Sequence, residues 1–157
     1  YDRGAGRPDH LRYGTRNYLA IISTVNCSAS TSKYIAERVR AAGILDQFPN
    51  VDGVVAIVHR QGCGMQYDGP DHLQLDRTLA GFARHANIGA YILVGLGCEI
   101  VQATHLIDNE RLNLVQLNGA KGAPVALSIQ ECGGIGKTVE AGVKAVAEML
   151  PRVNDVK

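Results

Sequence analysis

The fold is indicated first by the stretch Tyr91-Ile92-Leu93-Val94-Gly95-Leu96-Gly97-Cys98. It opens on an uninterrupted apolar run, Tyr91 to Val94, that is short and contains β-branched side chains. Such runs are typical of strands buried on both faces, as in a parallel sheet covered by helices. The run passes into a glycine-rich segment, so we expect a strand followed by a turn that carries Cys98.

Similar apolar runs recur along the chain. Continuous apolar runs lie at Tyr18–Val25, Val54–Val58 and Val125–Ile129, and a weaker run at Leu112–Leu117 predicts a fifth strand. Segments with helical periodicity separate these runs. Strands that alternate with helices of this length predict parallel pairing with right-handed crossovers. The expected fold class is therefore α/β, with a parallel (Rossmann-like) sheet of four to five strands and helices on both faces.

Three helices are predicted from apolar residues that recur every three or four positions. The first begins at about Ser28 and ends at Gly43, and Pro151 is expected to close the last. The side chains expected to face inward are Ile35, Val39 and Ala42 in the first helix, Leu75, Leu79, Phe82 and Ala86 in the second, and Val139, Val143, Val146 and Leu150 in the third. We therefore divide the chain into an arm or linker at 1–17, an α/β domain at 18–151 and a tail at 152–157.

Composition excludes several classes of function. The 157 residues carry a net charge of +1, no basic run and no Trp, which argues against a nucleic-acid surface. No apolar run approaches the roughly 20 residues that a membrane helix needs. Four cysteines are too few for a secreted disulfide scaffold, so we expect reduced thiols and a cytoplasmic protein. The chain begins without Met or a signal-peptide pattern, which suggests a piece of a longer protein.

A cysteine follows each of the four strongest predicted strands. Cys27, Cys63, Cys98 and Cys132 all occupy the turn between a strand and the next helix. The carboxyl ends of parallel strands meet at one edge of the sheet, where ligands bind. Helix N-termini also point at this edge and favour the thiolate, the form that binds metal. A single cysteine is more often a small buried apolar residue, but four in the same position favour a shared site.

Several motifs together resemble the altronate/galactarate dehydratase family, and the likeness runs over nearly the whole chain. The segments that carry it are Gly14-Thr15-Arg16-Asn17-Tyr18, Val25-Asn26-Cys27-Ser28, His59 with Gly62-Cys63-Gly64, Arg77-Thr78-Leu79-Ala80-Gly81, and Val94-Gly95-Leu96-Gly97-Cys98-Glu99. Members of this family dehydrate hexonate or hexarate sugar acids to 2-keto-3-deoxy acids and need ferrous iron. The resemblance implies a central domain of such a hydro-lyase, inactive alone, with further domains before and after it.

The resemblance also implies which residues hold the metal. It supports Cys27, Cys63 and Cys98 as iron ligands, whereas Cys132 is supported by its position alone. Thiolates suit iron either as a ferrous ion or as an iron–sulfur cluster, and the sequence does not choose between the two. A metal with open positions would bind the substrate carboxylate and a hydroxyl as a Lewis acid.

Other polar residues near the predicted strand ends are candidates for catalysis and substrate binding. His59 is the first candidate for a general base or metal ligand, with a structural histidine as the equal alternative. Glu99 and Glu131 adjoin cysteines and could act as acid, base or ligand, although carboxylates are common at helix N-termini. Arg16 and Arg60 could clamp a substrate carboxylate. The histidines expected to be solvated or structural are His10, His72, His85 and His105.

Two alternatives to the sugar-acid dehydratase stay open. The related branch of the family is a sulfolactate sulfo-lyase, of which the chain would be a subunit. The other alternative is a non-catalytic domain that binds a metal through thiols or serves in protein interaction. The chain lacks the C-x-x-C spacing of structural zinc sites. As partners we expect a sugar-acid substrate, the missing domains and further copies of the chain in a homo-oligomer.

Overall fold

In the described part of the chain, the fold is an α/β architecture around a four-stranded, all-parallel sheet with strand order β2-β1-β3-β4. The computed structural model describes residues 13–112 and 124–155. The strands are β1 (Tyr18–Ser23), β2 (Gly53–Ile57), β3 (Ile88–Gly95) and β4 (Val125–Ser128). The helices are α1 (Ala29–Ala41), α2 (Pro70–Ala83), α3 (Ala103–Asn109), α4 (Ile129–Cys132) and α5 (Ile135–Asn154), with 3₁₀ turns at Asn26–Ser28 and Ile44–Gln47. The predicted fold class is confirmed.

Helices cover both faces of the sheet because alternate side chains of each strand point to opposite sides. On one face, Leu19 and Ile21 of β1 pack in a core cluster with residues of α1 and α5. On the other face, Ala20 and Ile22 pack with residues of α2 and α3. Central strands β1 and β3 are therefore buried on both sides, which is why their sequences are apolar without interruption.

Three details of the helix predictions are corrected. Ala42 is exposed at the end of α1, and the buried small residue is Ala36, because the helix stops at Ala41 before the left-handed Gly43. Phe82 is 43% exposed, and Ala83 takes its place in the core. Ala86 lies beyond the end of α2.

Pro151 does not close the last helix, which continues to Asn154. A proline inside a helix removes one backbone hydrogen bond. The final turn is held instead by the buried side chains of Leu150 and Val153, and by the Asn17 amide, which donates to the Val153 carbonyl at 2.8 Å. Tertiary contacts thus override the local stop signal. The fifth run predicted at Leu112–Leu117 lies, beyond Leu112, outside the described residues.

In the parts of the chain that the structure describes, no helix combines the length and apolar character needed to cross a membrane.

Candidate active site

All four cysteines lie at the carboxyl edge of the sheet. Cys27 sits in the 3₁₀ turn after β1, Cys63 in the loop after β2, Cys98 in the loop after β3 and Cys132 at the end of α4 after β4. The placement agrees with the expectation from the sequence, because parallel strands end on the same side. Cys27, Cys63 and Cys98 are exposed, and Cys132 is half-buried.

Three of these thiols are electrostatic neighbours. The pKa of the Cys63 thiol is raised, first by partial desolvation and then by its interaction with the nearby thiol of Cys27. Cys98 and Glu99 raise it further as neighbouring negative groups. Three thiols from three loops therefore converge on one patch of the edge. When they are ionised, their negative charges repel one another. A cation bound among them would relieve that repulsion.

The loops that carry the thiols are bound to one another through the backbone. The amide of Asn26 donates to the Gln61 carbonyl at 2.8 Å, and that of Ile100 donates to the Gly62 carbonyl at 3.3 Å. Gly62 has a φ of +105°, and a Cβ there would lie 2.8 Å from both the Thr24 carbonyl oxygen and the Val25 Cα. Only glycine permits this approach of the Cys63 loop to the turn that carries Cys27.

Glu99 is buried and holds the turn before it. One carboxylate oxygen accepts from the Thr24 hydroxyl at 2.9 Å and from the Leu96 amide at 3.1 Å. The other accepts from the Gly97 amide at 2.5 Å. The carboxylate thereby ties the end of β1 to the loop that carries Cys98, and in this conformation both of its oxygens are occupied.

His59 is also tied to the backbone. Its Nδ1 accepts from the Gln61 amide at 3.1 Å, so the proton of the neutral ring is on Nε2. Nε2 then donates to the Ser23 carbonyl at 3.0 Å. Burial lowers the pKa of His59, and the hydrogen bond to Ser23 partly opposes that effect. With both ring nitrogens engaged, His59 links the ends of β1 and β2, and these contacts favour a positioning role.

The remaining candidates from the sequence are not all brought together. Arg60, in the loop after β2, and Glu131, in α4, are exposed at the cysteine edge. Arg16 precedes β1 and therefore lies at the opposite, amino edge, where it approaches Asp52 at 3.9 Å. The six-residue strand between the two edges places Arg16 on the order of 20 Å from Cys27. Arg16 therefore cannot clamp a substrate bound at the thiols of the same chain.

One contact to a thiol was missed by the sequence reasoning. The side-chain amide of Gln130, at the start of α4, donates to the Cys98 sulfur at 3.7 Å. An amide donor stabilises a thiolate. Gln130 occupies the same strand-to-helix position as the cysteines, and that position could have identified it in the sequence as a candidate site residue.

A second polar cluster, also missed, lies beside the same edge between α2 and α3. It contains His72 and Asp76, which are 0% and 2% exposed, together with half-buried His105, and their nearest ligand atoms lie within 4.8 Å of one another. Tyr67, from the loop that carries Cys63, packs against both histidine rings with centroid distances of 5.2 and 5.4 Å. The four-residue spacing of His72 and Asp76 on one helix was the signal that could have found it.

The fold and this edge define a class of protein: a parallel α/β domain that presents converging thiols where its strands end. The chain belongs to the family described as D-galactarate dehydratase/altronate hydrolase, second domain, which matches residues 4–154. The resemblance seen in the motifs is thereby confirmed.

Two relatives show the extent of the similarity. Altronate dehydratase of Escherichia coli (strain K12) is 32% identical over 108 residues, which are 65% of this chain and 21% of that protein. Altronate dehydratase of Bacillus subtilis (strain 168) is 31% identical over 137 residues, which are 87% of this chain and 25% of that protein. The chain therefore spans about a fifth to a quarter of the length of these relatives. No solved structure matches it significantly.

Proposed function

We propose that the chain is the thiol-bearing domain of an iron-dependent hydro-lyase that dehydrates a hexonate or hexarate to a 2-keto-3-deoxy acid. The observation that carries the proposal is the convergence of Cys27, Cys63 and Cys98 at the carboxyl edge, within a chain of this family. Altronate and galactarate are the first substrates to test, since these names belong to the relatives and to the family.

The donor chemistry at the edge fits iron. Three exposed thiols from three loops form a soft, anionic set, and such sets select iron, copper or zinc over magnesium or calcium. Three thiolates would leave a coordination position open for substrate on a ferrous ion or on one iron of a cluster. Bound there, iron would supply a Lewis acid for the substrate's carboxylate and hydroxyl groups.

The chain's own residues would position these ligands. Glu99 fixes the Cys98 loop through backbone amides, and Gln130 donates to the Cys98 sulfur. His59 and Gly62 hold the loop of Cys63 against the turn of Cys27. Exposed Arg60 is available at the same edge for the substrate carboxylate. Domains outside this chain, and neighbouring copies in an oligomer, would close the site over the substrate.

The test uses the full-length enzyme that contains this chain, prepared without oxygen. We expect iron to copurify with it, and we expect altronate or galactarate to lose water, read as the 2-keto acid product. A matched assay on the isolated chain should show bound iron without turnover. An enzyme that turns over neither sugar acid, with iron bound, would contradict the proposed reaction. An enzyme without iron that is fully active would contradict the metal.

A further inference from the structure

The cluster of His72, Asp76 and His105 holds an unusual buried carboxylate. Asp76 is 2% exposed, and neither of its oxygens has a hydrogen-bond partner among the residues that the structure describes. Burial raises the pKa of Asp76, and the neighbouring His72 and His105 act in the opposite direction. An ionised carboxylate that is this deeply buried needs N–H donors or a cation close by.

His72 supplies one such donor. Its Nδ1 accepts from the Asp68 amide at 2.8 Å, so the neutral ring carries its proton on Nε2. That Nε2 is buried, lies 3.6 Å from a carboxylate oxygen of Asp76, just beyond hydrogen-bond distance, and makes no hydrogen bond to any described residue. Because Nε2 holds a proton rather than a free lone pair, the geometry favours a His–Asp pair over a metal ligand at this position.

His105 has the opposite tautomer. Its Nε2 accepts from the Asn109 side-chain amide at 2.7 Å, and the Tyr67 hydroxyl lies 3.3 Å from the same nitrogen. The proton of the neutral ring is therefore on Nδ1. These contacts to Nε2 are exposed, and a ring nitrogen of His105 lies within 4.8 Å of the Asp76 carboxylate. The ring thus spans from the buried carboxylate to the surface.

We propose that His105 is the residue that accepts the substrate proton in the hydro-lyase reaction, with Asp76 and His72 as positioning residues behind it. A carboxylate within 4.8 Å of the ring stabilises the imidazolium formed when Nε2 takes a proton, and here it does so by charge, since the Asp76 oxygens accept no hydrogen bond from the described residues. This inference rests on the proposed function. It gives a catalytic role to a histidine that the sequence alone assigns to the solvated or structural group.

The location supports the role. His105 lies in the first turn of α3, the helix that follows the loop of Cys98. Its neighbour Tyr67 lies in the loop that carries Cys63. His105 therefore stands beside the thiol edge with one nitrogen at the surface, whereas both nitrogens of His59 are hydrogen-bonded to the backbone.

The proton step balances without an added oxidant. Nε2 of His105 takes the proton from the carbon next to the substrate carboxylate, and the C–H electrons form a carbon–carbon double bond. The hydroxyl on the adjacent carbon leaves with its bonding pair and is released as water after it receives a proton from the imidazolium. The enol product then becomes the 2-keto acid. The exposed Asn109 amide must move off Nε2 for the substrate to approach.

Nuclear magnetic resonance of the isolated chain tests the arrangement apart from activity. Long-range ¹H–¹⁵N spectra should show His105 as the Nδ1–H tautomer and His72 as the Nε2–H tautomer. Asp76→Asn should lower the population of the Nδ1–H tautomer at His105, because the carboxylate that favours this tautomer is lost. The other groups facing the cluster are Tyr67 and Glu110, the latter paired with Arg84, and they stay unchanged in this comparison. An Nε2–H tautomer at His105, or a tautomer population that Asp76→Asn leaves unchanged, would overturn the inference.

Kinetics of the full-length enzyme test the catalytic role. His105→Gln and His105→Asn should reduce kcat by about 10²-fold or more, the range for loss of a general base, with iron content unchanged. Both variants should also lose exchange of the substrate's C–H proton with deuterium from solvent. Asp76→Asn should reduce kcat less and shift the pH profile. The matched control is His85→Gln, an exposed histidine after α2 that should leave kcat unchanged.

The outcomes separate the two proposals. If the unaltered enzyme dehydrates no sugar acid, the proposed function fails even where the tautomers are as expected. If it is active and His105→Gln retains both turnover and proton exchange, the role of His105 is refuted. If His105→Gln loses metal together with turnover, the cluster is a metal site and this inference is wrong.

Discussion

The thiol of Cys27 lies close enough to that of Cys63 to raise its pKa, although the two residues follow different strands of the sheet. The contact exists because β1 and β2 are adjacent and parallel, so their following turns meet at one edge. It is reinforced by the bond from the Asn26 amide to the Gln61 carbonyl. The turns that carry these two thiols are therefore held together by the backbone.

The first prediction concerns the unequal roles of the cysteines. Replacing Cys63 or Cys98 by Ser in the full-length enzyme should abolish iron retention, because a hydroxyl is a poor substitute for a soft thiolate. Cys132→Ser is the matched control, since Cys132 is half-buried at the end of α4, and it should keep most iron and activity. Iron content and turnover, measured on protein prepared without oxygen, check the prediction.

Two results would change this interpretation. Full iron binding by both Cys63→Ser and Cys98→Ser would make these cysteines packing residues. Loss of iron in Cys132→Ser would extend the site to the turn after β4, where Gln130 already contacts the Cys98 sulfur.

The second prediction concerns Glu99. In Glu99→Gln the side-chain NH₂ group must face either the Gly97 amide or the donors of Thr24 and Leu96, so at least one hydrogen bond becomes a contact between donors. We expect a loss of about 1–3 kcal/mol in the free energy of unfolding, from unsatisfied buried groups. Urea unfolding measures this loss of free energy. Glu131→Gln, at an exposed carboxylate, should change stability by less than about 0.5 kcal/mol. Equal stability of the two variants would show that Glu99 does not hold the loop.

The third prediction follows from the lowered pKa of His59. Its ordinary value is 6.5, and burial lowers it in the folded state. Below pH 6.5 the unfolded chain binds more protons at His59 than the folded chain does. The contribution of His59 to the free energy of unfolding is therefore complete above pH 6.5 and declines as the pH falls. Urea unfolding from about pH 8 to about pH 5 should therefore show less acid destabilisation in His59→Gln than in the unaltered chain.

The control for that experiment is His85→Gln, because His85 is exposed. It should keep the pH dependence of the unaltered chain. If His59→Gln shows the same pH dependence as His85→Gln, burial does not hold the ring of His59 in its neutral form.

The sequence predicted the layers of the fold well and the site unevenly. The apolar run from Tyr91 to Val94 is long enough, and β-branched enough, to define a strand buried on both faces. Because each cysteine follows a predicted strand, its position at the carboxyl edge of the sheet could then be predicted. Phe82 and Pro151 were misjudged because local periodicity and propensity cannot sense which neighbours a helix meets.

The polar contacts could not be predicted because they join residues far apart in the chain. Glu99 is bound to Thr24, and His59 to Ser23, only after the sheet has formed. His105 belongs to the same group, since its contact to Tyr67 depends on the path of a loop. Arg16 lies away from the thiols of its own chain for a different reason: it precedes its strand, and the order of strand ends alone places it on the far edge.

The last prediction tests how closely the loop of Cys63 must approach the turn of Cys27. In Gly62→Ala, the new Cβ would lie 2.8 Å from the Thr24 carbonyl oxygen and the Val25 Cα, which are backbone atoms that cannot turn aside. Gly64→Ala is the matched control, because Gly64 also has a positive φ, +72°, but a Cβ there meets nothing within 4 Å. Backbone strain alone should cost the Gly64 variant about 1–2 kcal/mol. The Gly62 variant should lose more stability than that, and it should also lose iron in the full-length enzyme, since the loop must move away from Cys27. Equal stability and equal iron content in the two variants would show that the close approach of these loops is not needed for the site.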